Sequence, residues 1–119
     1  MVINLERAYD GPAPDGGFRV LVDRLWPRGI SRERARLDLW LKDVAPSPGL
    51  RSWWNHDPQR LAEFARRYRA ELESDAATIG AVDTLREVLE RHPMVTLVYG
   101  ARDPVVNHAA VLRDYLVAS

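Results

Sequence analysis

The stretch RVLVDRLWPRG, residues 19–29, joins a buried type of strand to an unusually polar loop. Val20, Leu21 and Val22 form an unbroken apolar run, which is typical of a strand covered on both faces of a parallel sheet. An acid, two arginines, a tryptophan and a glycine then follow within residues 23–29. We interpret this loop either as one half of a binding site or as a structural clasp.

The composition limits the classes of protein to which the chain can belong. Its 119 residues and 46% hydrophobic content predict one domain with a real core, spanning residues 1–119. The chain has no cysteine, which excludes a disulfide framework, a thiolate metal site and a cysteine nucleophile. With 17 basic and 17 acidic residues, no electrostatic attraction to nucleic acid is expected.

Neither a signal peptide nor a membrane-spanning segment is predicted from the sequence. The first residues lack a basic segment followed by a long apolar one, and no apolar run approaches the length of a membrane span. We therefore expect a cytoplasmic protein with no membrane partner. The composition leaves its oligomeric state open.

The hydrophobic pattern predicts strands that alternate with helices. The predicted strands are 2–9, 18–23, 37–42 and 94–99, and a helix is the open alternative for 37–42. The predicted helices are 32–36 capped by Ser31, one starting at Asp57-Pro58, 76–91, and one starting at Asp103-Pro104. This order predicts a single three-layer, Rossmann-like α/β domain with a small, mainly parallel sheet flanked by helices. No helix separates the first two strands, so their pairing stays open.

Two charged loops follow two buried strands, at residues 23–29 and 100–103. If the strands are parallel, both loops lie at the carboxyl edge of the sheet, where open α/β sheets bind ligands. The second loop also precedes a predicted helix, whose free N–H groups favour an anion. The two loops therefore predict one site.

Arginine suits an anion because its planar fork donates two hydrogen bonds at once. The predicted ligand-binding residues are Arg24, Trp26, Arg28, Tyr99, Arg102, Asp103 and Asn107. A catalytic alternative uses Asp23 as nucleophile or base and His108 as its acid–base partner. The structural alternative pairs the arginines with Asp23 and Asp103 and leaves no site.

Other signatures give little support for a cofactor or metal. No glycine-rich nucleotide loop or nucleophile elbow is present, and we predict no cofactor. His56 with His108 and an aspartate lacks a metal-ligand spacing, so no metal is predicted. The Trp53-Trp54 pair is either a surface for a protein partner or a hydrophobic plug over the sheet.

The chain resembles a bacterial family called domain of unknown function 488, in particular its YeaO-like branch. The resemblance rests on RVLVDRLWPRG (19–29), LWLKDVAPS (39–47), LRSWWNHDP (50–58), EFARRYRAEL (63–72) and VTLVYGARDPVVNHAAVL (95–112), which together cover almost the whole chain. The family pattern Val-Asp-x-Arg is similar to Val22-Asp23-Arg24, which lacks the intervening residue. Its Cys-His-Arg triplet falls at residues 107–109, where only His108 is retained, so the resemblance implies no thiol mechanism.

The leading hypothesis is recognition of a small anionic ligand, such as a nucleotide or another phosphate ester. Its alternatives are a hydrolase or transferase that uses Asp23 and His108, and an interaction module built on Trp53-Trp54. Under the leading hypothesis, Arg28→Ala weakens binding by about 1.5–3 kcal/mol, the scale of a charged hydrogen bond.

Overall fold

Four parallel strands form the sheet in the order β1-β4-β2-β3. The strands are β1 Val2–Arg7, β2 Phe18–Leu21, β3 Leu39–Trp40 and β4 Met94–Tyr99. The computed structural model describes residues 2–118, so Met1 and Ser119, the ends of the predicted domain, lie outside the described residues. The α/β class and the small parallel sheet flanked by helices are confirmed.

The first two strands do not pair with each other. Both pair in parallel with β4, with Val2 opposite Met94 and Val20 opposite Leu97. The last strand in the chain therefore lies between the first two, which settles the pairing that the sequence left open.

The two faces of the sheet are covered unequally. Val20, Val22 and Leu97 point to a large core, while Leu21 and Val98 point to a small one on the opposite face. The large core packs against α2 Pro48–Trp54, α3 Leu61–Ser74, α4 Ala76–Arg91 and α5 His108–Ala118. The small core is covered by α1 Arg32–Ala35 and the neighbouring loop.

Several helix boundaries follow from capping residues, as predicted. The Ser31 hydroxyl accepts from the Arg34 N–H at the start of α1. The Asp75 carboxylate accepts from the Thr78 N–H, so α4 spans residues 76–91 as the sequence indicated. At Asp57 a 3₁₀ turn, Pro58–Arg60, leads into α3.

The predicted strand at 37–42 is mostly wrong. Only Leu39–Trp40 is extended, and a 3₁₀ turn over Lys42–Val44 follows. β2 ends at Leu21, whose carbonyl accepts from the Leu41 N–H in the last backbone hydrogen bond between this strand and the β3 segment within residues 2–118. The strands predicted at 2–9 and 18–23 also end two residues early, at Arg7 and Leu21.

Two helix predictions need correction. No helix was predicted between residues 42 and 57, but Ser47 caps α2 through its hydroxyl and Pro48 begins it. The last helix does not start at Asp103-Pro104. The Asp103 carboxylate accepts from the N–H groups of Val105 and Val106, which makes a turn, and α5 begins only at His108. Within residues 2–118, no helix is both long enough and apolar enough to span a bilayer.

Candidate functional site

A cavity of about 250 Å³ lies at the carboxyl edge of the sheet. Loops that follow β1, β2 and β4 reach it, through Tyr9, Asp23 and Gly100. The Gly100 N–H donates to Asp23 Oδ2 over 2.9 Å, so the two charged loops do meet at one edge. The predicted position of the two loops at the same edge of the sheet is therefore confirmed.

Asp23 connects three parts of the cavity. One carboxylate oxygen accepts from the Gly100 N–H, and the other, Oδ1, lies 3.2 Å from His108 Nε2. Oδ1 is shielded from solvent and has no hydrogen bond of good geometry. The carboxylate therefore faces a backbone N–H and an imidazole.

His108 is a buried histidine with a fixed hydrogen position. Its Nε2 lies 3.0 Å from the Val22 carbonyl oxygen and 3.2 Å from Asp23 Oδ1. Both of these atoms are acceptors, so Nε2 carries a hydrogen. The ring packs edge-on against Tyr68, whose hydroxyl donates to the Val44 carbonyl. Burial raises the pKa of Tyr68, which keeps this phenol a donor.

Arg24 lies on the cavity wall and is only loosely paired. Its Nη2 donates to the Ala45 carbonyl over 3.2 Å, and its Nη1 is 3.8 Å from the half-exposed Asp43 carboxylate. Its Nε is buried without a hydrogen-bond partner among residues 2–118. A long, partly exposed ion pair contributes little to stability, so Asp43 only weakly neutralises the Arg24 guanidinium.

The rest of the opening loop is partly a clasp. The Trp26 indole lines the cavity, but its N–H donates to the Ile30 carbonyl over 2.6 Å. Gly29 has φ +80°, which suits the turn closed by the Ile30 N–H on the Pro27 carbonyl. The Arg28 side chain is exposed and does not line the cavity.

None of the ligand-binding residues predicted at and after the end of β4 lines the cavity. Tyr99 is a core residue at 2% exposure, and Arg102 is exposed outside the lining. Hydrogen bonds from the Val105 and Val106 N–H groups hold the pKa of Asp103 below its usual value. Asn107 accepts from the Ala110 N–H and donates to the Asp103 carbonyl, which makes it the cap of α5. The polar groups of Asp103 and Asn107 therefore bond to the backbone of the loop and of the start of α5.

Two cavity residues were missed as ligand groups, Arg51 on α2 and His56 just after it. The signal was present in Ser47-Pro48, a capping serine with proline at the first helical position. Burial lowers the pKa of His56, and the Arg51 guanidinium and then His108 lower it further. Within the described part of the chain, no three His, Asp or Glu side chains are grouped so as to hold a metal ion.

The comparisons with known proteins identify the family. The model of the inactive DUF488-N3 subclade matches residues 2–119. The chain belongs to this family. The resemblance inferred from residues 19–29 and 95–112 is thereby confirmed.

Relatives of this DUF488 protein align over nearly its full length. An uncharacterised protein of Mycobacterium tuberculosis is 45% identical over 114 residues, covering 96% of this chain and 92% of the relative. The uncharacterised protein YeaO of Escherichia coli is 38% identical over 116 residues, covering 98% and 97%. A lysine–tRNA ligase of Cenarchaeum symbiosum is 33% identical over 130 residues, but these are only 22% of that protein. No solved structure gives a significant match.

Proposed function

We propose that this protein binds a small anionic ligand, with a nucleotide or another phosphate ester as the leading class, in the cavity at the carboxyl edge of the sheet. The observation that carries the proposal is the charge of the lining. Arg24 and Arg51 supply it, while the one carboxylate among the described lining residues, Asp23, contacts Gly100 and His108. Arginine donors at a strand-end cavity are the chemistry that phosphate and carboxylate groups require.

The cavity size and its aromatic side chains favour a small ligand with one flat group. A volume of about 250 Å³ lies below the range of about 300–1,000 Å³ of drug-sized pockets. Tyr9, Trp26 and Trp54 supply apolar surface beside the cations. A single phosphate ester fits these properties better than a dinucleotide. The balanced net charge also favours a small anion over tRNA, which the name of the Cenarchaeum relative concerns.

The cation set differs from the one that the sequence suggested. Arg28 and Arg102 are exposed outside the lining, and the Asp103 carboxylate occupies N–H groups that an anion would need. Arg51 therefore takes the role first given to Arg28. This change supplies a matched pair of variants, one inside the cavity and one outside it.

The test is calorimetric titration with nucleoside 5′-monophosphates and with inorganic phosphate. Arg51→Ala is expected to weaken binding by about 1.5–3 kcal/mol, or roughly tenfold or more, because a charged hydrogen bond is lost. Arg28→Ala is the control and is expected to leave the affinity unchanged. Equal affinities for wild type and Arg51→Ala would contradict the proposal.

An enzyme acting on a nucleoside or phosphate ester is the second candidate. It is favoured by the 3.2 Å separation of Asp23 Oδ1 and His108 Nε2 at the cavity. The subclade's description as inactive favours binding instead. Phosphorus NMR of a nucleoside monophosphate incubated with the protein separates the two, since release of inorganic phosphate that Asp23→Asn abolishes requires catalysis.

The hypothesis of an interaction module requires an exposed Trp53-Trp54 pair, and neither side chain is fully exposed. Trp54 is 2% exposed, stacks on Phe64 at 3.8 Å between ring centroids and donates to the Asp57 carbonyl. Trp53 is half-buried, with the guanidinium groups of Arg60 and Arg67 over its ring. The plug interpretation describes this pair better.

A further inference from the structure

Two successive residues after α2 adopt the left-handed backbone region. Asn55 has φ 48° and His56 has φ 54°. Asn55 is the residue that ends α2, and its N–H donates to the Arg51 carbonyl, so its conformation belongs to an ordinary helix end. His56 carries a Cβ in the same region without a role in ending the helix, which is unfavourable for the backbone.

The surroundings hold His56 in this conformation. On one side its ring packs against the Trp54 indole at 5.0 Å between centroids. On the other side the Asp57 N–H donates to the Trp54 carbonyl, and the Asp57 carboxylate caps the next turn. The result is an imidazole that lines the cavity. Strained residues that persist in this way cluster at ligand sites.

We propose that His56 is the proton-coupled contact of this site: binding of the anion adds one proton from solvent to the His56 imidazole, so that affinity rises as the pH falls. The inference rests on the proposed function and specifies how that site is regulated. A protonated imidazole beside Arg51 gives the anion a second charged donor that the free protein does not maintain.

The charges around His56 explain why the proton arrives with the ligand. The groups that act on it are Arg51 of α2, His108 of α5, and the carboxylates of Asp23 and Asp103 in the two strand-end loops. Burial, Arg51 and His108 outweigh the two carboxylates, so the pKa of His56 in the free protein lies below its ordinary value of 6.5. A bound anion adds negative charge and raises this pKa again.

The experiment uses inorganic sulfate, whose charge stays constant between about pH 5 and 8, the range in which histidine titrates. NMR titration of wild type is expected to show at least about fivefold tighter binding at the acidic end, the lower end of typical coupling between sites. His56→Gln keeps a donor but cannot take up the proton, and we expect a flat pH profile for it. Asn55→Gly, altered one residue away, is expected to keep the wild-type profile.

The outcomes separate the two proposals. If wild type binds neither sulfate nor a nucleoside monophosphate at any pH, the proposed function fails and this inference fails with it. If wild type binds sulfate in an Arg51-dependent way but His56→Gln has the same pH profile, only the role of His56 is overturned.

A stability measurement distinguishes a ligand contact from a structural residue without any ligand. Glycine adopts the left-handed region freely, so His56→Gly is expected to keep or raise the melting temperature, and the same is expected of Asn55→Gly. A fall of more than about 4 °C for His56→Gly alone would show that the ring is needed for folding and would overturn the proposal.

Discussion

The two loops that follow the central strands have similar compositions but use their polar groups differently. After β2, Asp23 and Arg24 come directly behind the strand and face the cavity. After β4, Asp103 and Asn107 bond to backbone groups of their own loop and of α5. Polar residues next to a strand end thus form the site, and those further along shape the backbone.

This contrast has a simple cause. The residue just after a parallel strand has its position set by the sheet, so its side chain reaches the edge where neighbouring loops meet. A residue several positions later lies in irregular backbone, where N–H groups need partners, and short side chains such as Asp and Asn supply them.

The largest expected difference between the loops concerns stability. Asp23→Ala removes the acceptor of the Gly100 N–H and the partner of His108, and is expected to lower the free energy of unfolding by about 2–3 kcal/mol. Asp103→Ala removes bonds that water replaces at an exposed turn, so its loss is smaller. Urea denaturation measures both, and a larger loss for Asp103→Ala would reverse the comparison.

A smaller effect is expected at the start of α5. Asn107→Ala removes the acceptor of the Ala110 N–H and is expected to cost about 1 kcal/mol, the usual value of a helix cap. Asn107→Ser keeps a capping oxygen and should lose less. Neither variant should alter anion affinity in calorimetry, and a loss of binding at constant stability would place Asn107 in the site after all.

The smallest effect appears only in acid. The folded-state pKa of Asp103 lies below its unfolded value of 3.8, so the stability that it contributes is complete above that value and is lost as the pH falls through the folded pKa. The melting temperature of wild type should therefore fall toward that of Asp103→Asn as the pH decreases to about 2. Parallel curves for the two proteins would show that this carboxylate has no special partners in the turn.

Much of the fold follows from local sequence signals. The apolar run at residues 20–22 indicates a buried parallel strand, and Asp75 with His92-Pro93 sets both ends of α4. The length of β3 could not be predicted from local signals, because it depends on where the neighbouring strand, β2, ends.

The same capping signature gave three outcomes, which limits what a local pattern can predict. Ser47-Pro48 starts an α-helix. Asp57-Pro58 starts a 3₁₀ turn that leads directly into α3, and Asp103-Pro104 starts an isolated turn that ends before α5 begins. The difference lies in whether the following residues can pack an apolar stripe against the sheet. Because a capping pair alone does not show how the following residues pack, α2 was not predicted from Ser47-Pro48.

The candidate site could be predicted only in part, because two of its residues belong to the helix that was not predicted and to the backbone just after it. Asp23, Arg24, Trp26 and His108 follow from strand ends and from the family pattern, and all four line the cavity. Arg51 and His56 come from the missed helix and from a left-handed backbone that no sequence pattern specifies. Arg28 and Arg102 carried the right chemistry at positions whose side chains lie outside the lining.

The strand order also affects how the chain assembles during synthesis. β1 and β2 emerge first, yet until residues 94–99 are made β1 has no partner strand and β2 has only the two-residue β3. Contacts between such distant segments slow folding. We therefore expect the sheet to be completed late, when β4 inserts between β1 and β2 and brings Gly100 to Asp23.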